Sequence, residues 1–116
     1  MPIASTLAVK IEKTADTVIV QLIGEVGLGG VDELERGLRS VLAARCALSI
    51  IDMSGLKFIS SLGLGLLVEL QRGITRNGGV VRFAALQPLV RDAIVKCRLD
   101  AVLPLFASVD EALHAA

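Results

Sequence analysis

Apolar and polar residues alternate with two different periods along this chain, which predicts strands separated by helices. Near the start, apolar residues at positions 7, 9 and 11 alternate with polar or small ones, a pattern typical of a half-buried strand. A turn at Ala15-Asp16 leads into a second strand from Thr17 to Ile23, which is rich in β-branched residues and ends at Gly24. We expect these two strands to pair as a hairpin.

Three later segments carry apolar residues at helical spacing. The first runs from Val31 to Leu42, with acidic residues early and arginines late, as the helix dipole favours. The second runs from about Ser61 to Arg76, and Pro88 suits the first turn of the third. A serine followed three residues later by a glutamate predicts a short terminal helix that begins with a capping box, formed by Ser108 and Glu111.

Short apolar runs between these helices predict the remaining strands. The runs from Leu48 to Met53 and from Val80 to Ala84 have the length and composition of buried strands. A last short strand is expected from Val102 to Phe106, at a sheet edge because it contains Pro104. The order ββαβαβαβα predicts an α/β fold with a mixed, mostly parallel sheet packed by helices. We expect residues 1–116 to form one domain.

Composition and charge narrow the classes of partner. Hydrophobic residues make up 53% of the chain and aromatic residues 3%, so the core is expected to be aliphatic. A formal net charge of zero provides no long-range field for polyanions, and nucleic acid is therefore not an expected partner. The mean hydropathy is +0.70. Even so, the apolar stretch from Phe58 to Val68 is well short of the roughly 20 residues of a spanning helix. We expect no membrane insertion and, without a visible secretory signal, a cytoplasmic protein.

Residues that commonly carry catalysis are scarce. His114, two residues from the C-terminus, is the only histidine, which removes the usual base of a Ser/His/Asp or Cys/His site. No residue cluster has metal-ligand spacing, so we expect no catalytic residues, no metal and no cofactor. Cys46 and Cys97 are expected to be buried, reduced thiols. The Gly27–Gly30 loop leaves open a nucleotide-binding or catalytic alternative, because a phosphate could dock between a strand and a helix start.

One segment, residues 56–66, combines features of a helix start and of a binding surface. Ser60 and Ser61 precede a Gly-x-Gly pair, Gly63 and Gly65, at the expected beginning of the second helix. A serine N-cap accepts a hydrogen bond from a backbone N–H in the first turn, and glycine lets another surface approach the backbone closely. These residues alone are also compatible with a plain helix cap and close packing of the helix on the sheet.

Four segments in this order resemble the STAS-domain anti-sigma factor antagonist family over essentially the whole chain. They are Leu22 to Val26, Ile50 to Ser54, Phe58 to Gly65, and Gly78 to Val81 followed by Gln87 to Arg91. The third resembles the family motif Phe-Met-Asp-Ser-Ser/Thr-Gly-Leu-Gly. It departs from that motif at Ser60, where the family usually has Asp, and at Leu62, where it usually has Ser or Thr.

The resemblance implies a partner-switching regulator of transcription rather than an enzyme. The phosphoacceptor serine of the family aligns with Ser61, and Ser60 is the second choice. The unphosphorylated antagonist would bind an anti-sigma factor that is a serine kinase, phosphorylation would release it, and a serine phosphatase would reset the cycle. The expected partner-binding residues, some of which could instead face the core, are Leu28, Ser60, Leu62, Gly63 and Leu64. The alternative is a STAS subunit bound permanently in a membrane-associated transport complex, with Ser61 only capping its helix.

Overall fold

The computed structural model describes residues 7–115, and its strands and helices follow the predicted order. The strands are β1 Leu7–Thr14, β2 Thr17–Val26, β3 Leu48–Ile59, β4 Val80–Ala84 and β5 Leu105–Phe106. The helices are α1 Val31–Ala44, α2 Ser61–Arg76, α3 Pro88–Lys96 and α4 Val109–His114, with a 3₁₀ turn at Leu99–Ala101 before β5. The predicted α/β fold class is confirmed.

Strand order in the sheet follows the chain from β1 to β5. β1 and β2 are antiparallel, with Leu7 opposite Gly24 and Thr14 opposite Thr17, as the predicted hairpin requires. The other three neighbouring pairs are parallel, and each is joined by a crossover that contains a helix. Because β2 and β3 run in the same direction, their last residues, Val26 and Ile59, lie side by side. The loops that follow these two strands therefore meet at one edge of the sheet.

The buried side chains form one large aliphatic core and a smaller cluster. Helices α1, α2 and α3 contribute to the large core, whereas Ala112 of α4 joins the smaller one. Successive residues of a strand point to opposite faces, so Ile51 in the large core and Ile50 in the smaller cluster mark the two faces of β3. Three helices thus cover one face of the sheet, and α4 covers part of the other.

Strand limits differ from the predictions at three places. β2 does not end at Gly24 but continues to Val26, because Gly24 adopts a φ of 116° and the register to β3 shifts there as in a bulge. β3 does not end at Met53 but continues to Ile59, since β2 pairs with it beyond the point where β4 ends. β5 is shorter than predicted and covers only Leu105–Phe106.

The two cysteines occupy different environments. Cys46 is buried, as expected, but Cys97 is exposed, so the prediction that both thiols are buried is wrong for Cys97. Cys97 is the C-cap residue of α3, and the next residue, Arg98, turns the chain with a φ of 59°. A position at the end of a short surface helix leaves the thiol outside the core.

Two glycines of α2 provide a matched test of how closely this helix packs on the sheet. A Cβ atom at Gly63 would lie 2.7 Å from Ile59 Cγ1 and 2.8 Å from Val26 Cγ1, whereas one at Gly65 would meet nothing within 4 Å. We expect Gly63→Ala to lower the free energy of unfolding by about 1–2 kcal/mol through overpacking. Gly65→Ala should raise it by about 0.5–1 kcal/mol, because alanine favours the helix. Urea unfolding of both variants measures the difference, and equal stabilisation by both would contradict the close contact at Gly63.

Candidate functional site

Ser60 connects β3 to α2 and fixes where the helix begins. Its N–H donates a hydrogen bond to the carbonyl of Val26 over 2.7 Å, one residue beyond the end of β3. Its backbone is extended, with φ −81° and ψ 169°, and its hydroxyl accepts a hydrogen bond from the N–H of Gly63 over 3.3 Å. The Leu64 N–H donates to the Ser60 carbonyl over 2.9 Å. Ser60 is therefore the N-cap of α2, in the conformation that serine caps usually adopt.

Ser61 is the first residue inside α2, and its side chain is exposed. Within residues 7–115 its hydroxyl makes no hydrogen bond to a protein group. The hypothesis that Ser61 only caps the helix is wrong, because Ser60 provides the cap. The Ser61 hydroxyl is therefore available to a second molecule, and the Ser61 backbone is held by the helix start and by the anchored Ser60 before it.

Exposed apolar side chains lie at the same edge of the sheet. Leu28 is 97% exposed, Leu62 is 64% exposed and Phe58 is 43% exposed. The loop that contains Leu28 lies beside the end of β3, since a Cβ atom at Gly27 would be 4.0 Å from Phe58 Cε2. We call Leu28, Phe58, Ser61 and Leu62 the junction surface. Grouped exposed apolar side chains are typical of interaction sites, whereas single ones are common on any protein.

Two of the predicted partner-binding residues face inward instead. Gly63 is buried against Ile59 and Val26, and Leu64 is 4% exposed and belongs to the large core. The buried residues of α2 recur at positions 63, 64, 67, 70 and 74, which is the spacing of one helix face. Gly63 and Leu64 therefore do not contribute to the junction surface, while Leu28 and Leu62 do and Ser60 is partly buried.

Phe58 is the member of the junction surface that sequence reasoning missed. It is the second-last residue of β3, between the exposed Lys57 and the buried Ile59. An apolar residue in a strand is usually assigned to the core, and the strand was expected to end before it. The register shift between β2 and β3 just before Glu25 and Phe58 breaks the simple alternation from which its exposure could have been read.

The first turn of α2 suits an added negative group. The first turn of α2 contains no acidic residue. The N-terminal end of a helix carries a partial positive charge from its free N–H groups, which an anion on an N-terminal side chain stabilises. A phosphorylated Ser61 would therefore occupy an electrostatically favourable position.

The glycine-rich loop before α1 is a poorer place for an anion. Its last residue, Gly30, is held against β2, since a Cβ atom there would lie 2.5 Å from the Glu25 carbonyl oxygen. The first turn of α1 carries Asp32 and Glu33, whose charges oppose the docking of a phosphate. Among residues 7–115 no group of three or more His, Cys, Asp or Glu side chains could hold a metal ion. The nucleotide-binding alternative at Gly27–Gly30 thus gains no support.

No helix within the described residues has the length and hydrophobicity needed to span a membrane.

Three solved structures show the same fold. An anti-sigma factor antagonist from Mycobacterium paratuberculosis superposes with a TM-score of 0.88 at 25% identity, over 99% of this chain and 97% of that one. The phosphorylated form of the Bacillus cell fate determinant SpoIIAA gives a TM-score of 0.69 at 22% identity, over 91% and 96%. A sulfate transporter family protein from Wolinella succinogenes gives 0.73 at 20% identity, over 86% and 84%.

Comparison of the sequence itself assigns the family. A search of curated proteins finds no match. The family model of the STAS domain matches residues 8–112, which is most of the chain and includes the strands, the helices and the junction surface described above. This chain belongs to the STAS domain family.

Proposed function

We propose that this chain is an anti-sigma factor antagonist that switches partners when Ser61 is phosphorylated. In its unphosphorylated form it binds an anti-sigma factor with serine kinase activity, and phosphorylation releases it. The observation that carries the proposal is an exposed, unbonded Ser61 hydroxyl at a helix start, beside the exposed apolar side chains of Leu28, Phe58 and Leu62. The chain acts in the cytoplasm as a substrate and binding partner, without turnover of its own, and a serine phosphatase restores the binding form.

Ser61 is a better phosphoacceptor than Ser60 because of what each hydroxyl contacts. The Ser60 hydroxyl accepts the capping hydrogen bond from the Gly63 N–H, and Ser60 is partly buried. A kinase would have to break this contact to reach it. Ser61 is exposed and its hydroxyl takes no part in that cap, so it can enter a kinase active site without loss of the capping hydrogen bond.

Phosphorylation is expected to change binding while leaving the fold intact. A phosphate on Ser61 adds about −1.5 to −2 charges at pH 7. The first turn of α2 contains no acidic residue, and such a charge there stabilises the helix by about 0.3–1 kcal/mol. In the complex the same charge would be desolvated among apolar side chains that offer it no partner. A penalty of about 2.7 kcal/mol there weakens binding a hundredfold, which is enough for a switch.

The structural relatives support this proposal in two ways. The Mycobacterium paratuberculosis protein, which shares 25% identity with nearly the whole chain, is an anti-sigma factor antagonist. SpoIIAA, which shares the fold, has a phosphorylated form. Neither relative identifies the partner of this chain, which native pull-down with the unphosphorylated protein and mass spectrometry would find.

A second candidate function is permanent membership in a membrane-associated transport complex. The sulfate transporter family protein from Wolinella succinogenes favours it, because a protein of a transporter family shares this fold. Ser60 and Leu62, which depart from the antagonist motif, also fit a chain that is not a kinase substrate. Co-purification with transporter subunits and no phosphate on the protein isolated from cells would favour this function over partner switching.

The two adjacent serines separate phosphorylation from capping. We expect Ser61→Ala to abolish phosphate incorporation by the partner kinase and to change the free energy of unfolding by less than about 0.5 kcal/mol, as for most surface sites. Ser60→Ala should still accept phosphate but cost about 1 kcal/mol, because it removes the cap. Intact-mass measurement after incubation with ATP and kinase, combined with urea unfolding, reads both effects. Phosphate that persists in Ser61→Ala and disappears in Ser60→Ala would place the acceptor at Ser60.

Two equally exposed leucines test where the partner binds. Leu62 on α2 is 64% exposed and Leu89 on α3 is 61% exposed, but only Leu62 belongs to the junction surface. We expect Leu62→Ala to weaken binding of the unphosphorylated chain to the kinase by about 1–2 kcal/mol, or roughly fivefold to thirtyfold. Leu89→Ala should leave the affinity within twofold of the wild type. Titration calorimetry measures both, and a larger loss in Leu89→Ala would move the docking surface to α3.

A further inference from the structure

β1 lies at one edge of the sheet, and within residues 7–115 β2 is the only strand that pairs with it. A two-residue loop joins the two strands, and the pair that closes such a loop, here Thr14 with Thr17, exchanges both backbone hydrogen bonds. Bonded and non-bonded pairs alternate from there, so the even-numbered residues of β1 direct their N–H and C=O groups to β2. The backbone groups of residues 9, 11 and 13 therefore point to the open edge.

The middle of this edge presents an apolar side chain between two charged ones. A Cβ atom at Gly37 of α1 would lie 2.7 Å from Val9 Cγ1, so α1 packs on β1 at Val9. Ile11, on the same face of the strand two residues later, is nevertheless 45% exposed, and α1 therefore leaves it uncovered. Lys10 and Glu12 on either side of Ile11 are exposed as well.

The two charges on β1 have no charged partner in the monomer. Lys10 lies opposite Gln21 of β2, and Glu12 lies opposite Ile19. Neither side chain forms an ion pair within residues 7–115. A strand edge with free backbone groups is a template for pairing with another chain, and the side chains along it decide which chain fits.

The order of charges on β1 complements itself when two copies pair antiparallel about Ile11. In this register Lys10 of each copy lies opposite Glu12 of the other, and the two Ile11 side chains lie opposite each other. Residues 9, 11 and 13 then face residues 13, 11 and 9 of the second copy, so their free N–H and C=O groups bond to one another. Registers centred on Lys10 or on Glu12 would place like charges directly opposite, which is destabilising.

We propose that this chain forms a symmetric homodimer in which the β1 strands of two copies pair antiparallel about Ile11. A second copy is the occupant of the edge because the sequence Lys10-Ile11-Glu12 is complementary to itself in this orientation. The contact is confined to one strand and falls below the roughly 1,600 Å² that stable interfaces bury. We therefore expect a reversible dimer with a dissociation constant of about 10 µM to 1 mM.

The proposed dimer leaves the junction surface of each copy free. Ile11 lies opposite Val20, six residues before β2 ends at Val26, which is about 20 Å along the strand. The dimer therefore forms away from Leu28 and Ser61, and this proposal does not rest on the phosphorylation of Ser61.

Self-association of the purified chain tests the proposal. By sedimentation velocity at about 5 µM to 1 mM, we expect the mass to rise from monomer towards dimer and no further. Amide hydrogen exchange at the two ends of this range locates the contact. The amides of Val9, Ile11 and Lys13 should exchange more slowly in the concentrated sample, whereas β2 protects those of Lys10 and Glu12 in both. A monomer at every concentration, or protection that appears in the junction surface instead, would overturn the proposal.

Charge reversals test the register. Lys10→Glu places acidic side chains opposite each other and Glu12→Lys places basic ones opposite each other, so each variant alone should dimerise at least tenfold more weakly. The double variant Lys10→Glu/Glu12→Lys restores both opposite-charge pairs and should dimerise within threefold of the wild type. A one-to-one mixture of the two single variants should form heterodimers for the same reason. Circular dichroism melts confirm that every variant folds.

Lys96→Glu on α3 is the matched control, because it makes the same charge change at an exposed position far from β1 in the chain. Its dimer affinity should stay within twofold of the wild type. An equal loss in Lys96→Glu and Lys10→Glu would show a general charge effect and overturn the proposal. Failure of both the double variant and the mixture to restore the dimer would also overturn it.

Discussion

Parallel pairing of β2 with β3 is the constraint on which the junction surface depends. It brings Val26 and Ile59 side by side at one edge of the sheet, and the hydrogen bond from the Ser60 N–H to the Val26 carbonyl extends that pairing by one residue. The loop after β2 and the start of α2 are thereby held together, although about thirty residues of chain separate them. Without this pairing Leu28 and Ser61 would belong to unrelated loops.

The two neighbouring serines at this edge of the sheet have different roles. Ser60 has a structural role, since its backbone continues the sheet and its hydroxyl caps α2. Within residues 7–115 the Ser61 hydroxyl forms no hydrogen bond to the protein, which is why we propose it as the group that is modified. The family motif usually has Asp at the position of Ser60. A neutral cap in its place keeps the helix start free of negative charge, which leaves the favourable dipole interaction to the phosphate proposed at Ser61.

Periodicity in the sequence is sufficient to predict most of the fold, because each helix has one continuous apolar face and each strand a distinct composition. The limits of α2 agree with the prediction, since serines and glycines mark its ends. β3 is longer than predicted because its second half depends on pairing with β2, which local sequence does not reveal. The cap lies at Ser60 rather than Ser61 because the Ser60–Val26 hydrogen bond sets the last strand position. Only the geometry of α2 separates the exposed Leu62 from the buried Leu64.

The central claim is that a phosphate on Ser61 acts at the docking surface. Its most direct test is the affinity of the wild-type chain for its anti-sigma partner, measured by titration calorimetry with the protein fully phosphorylated and fully unphosphorylated. The account predicts binding at least a hundredfold weaker for the phosphorylated chain, equivalent to about 2.7 kcal/mol. Equal affinities of the two forms would contradict it.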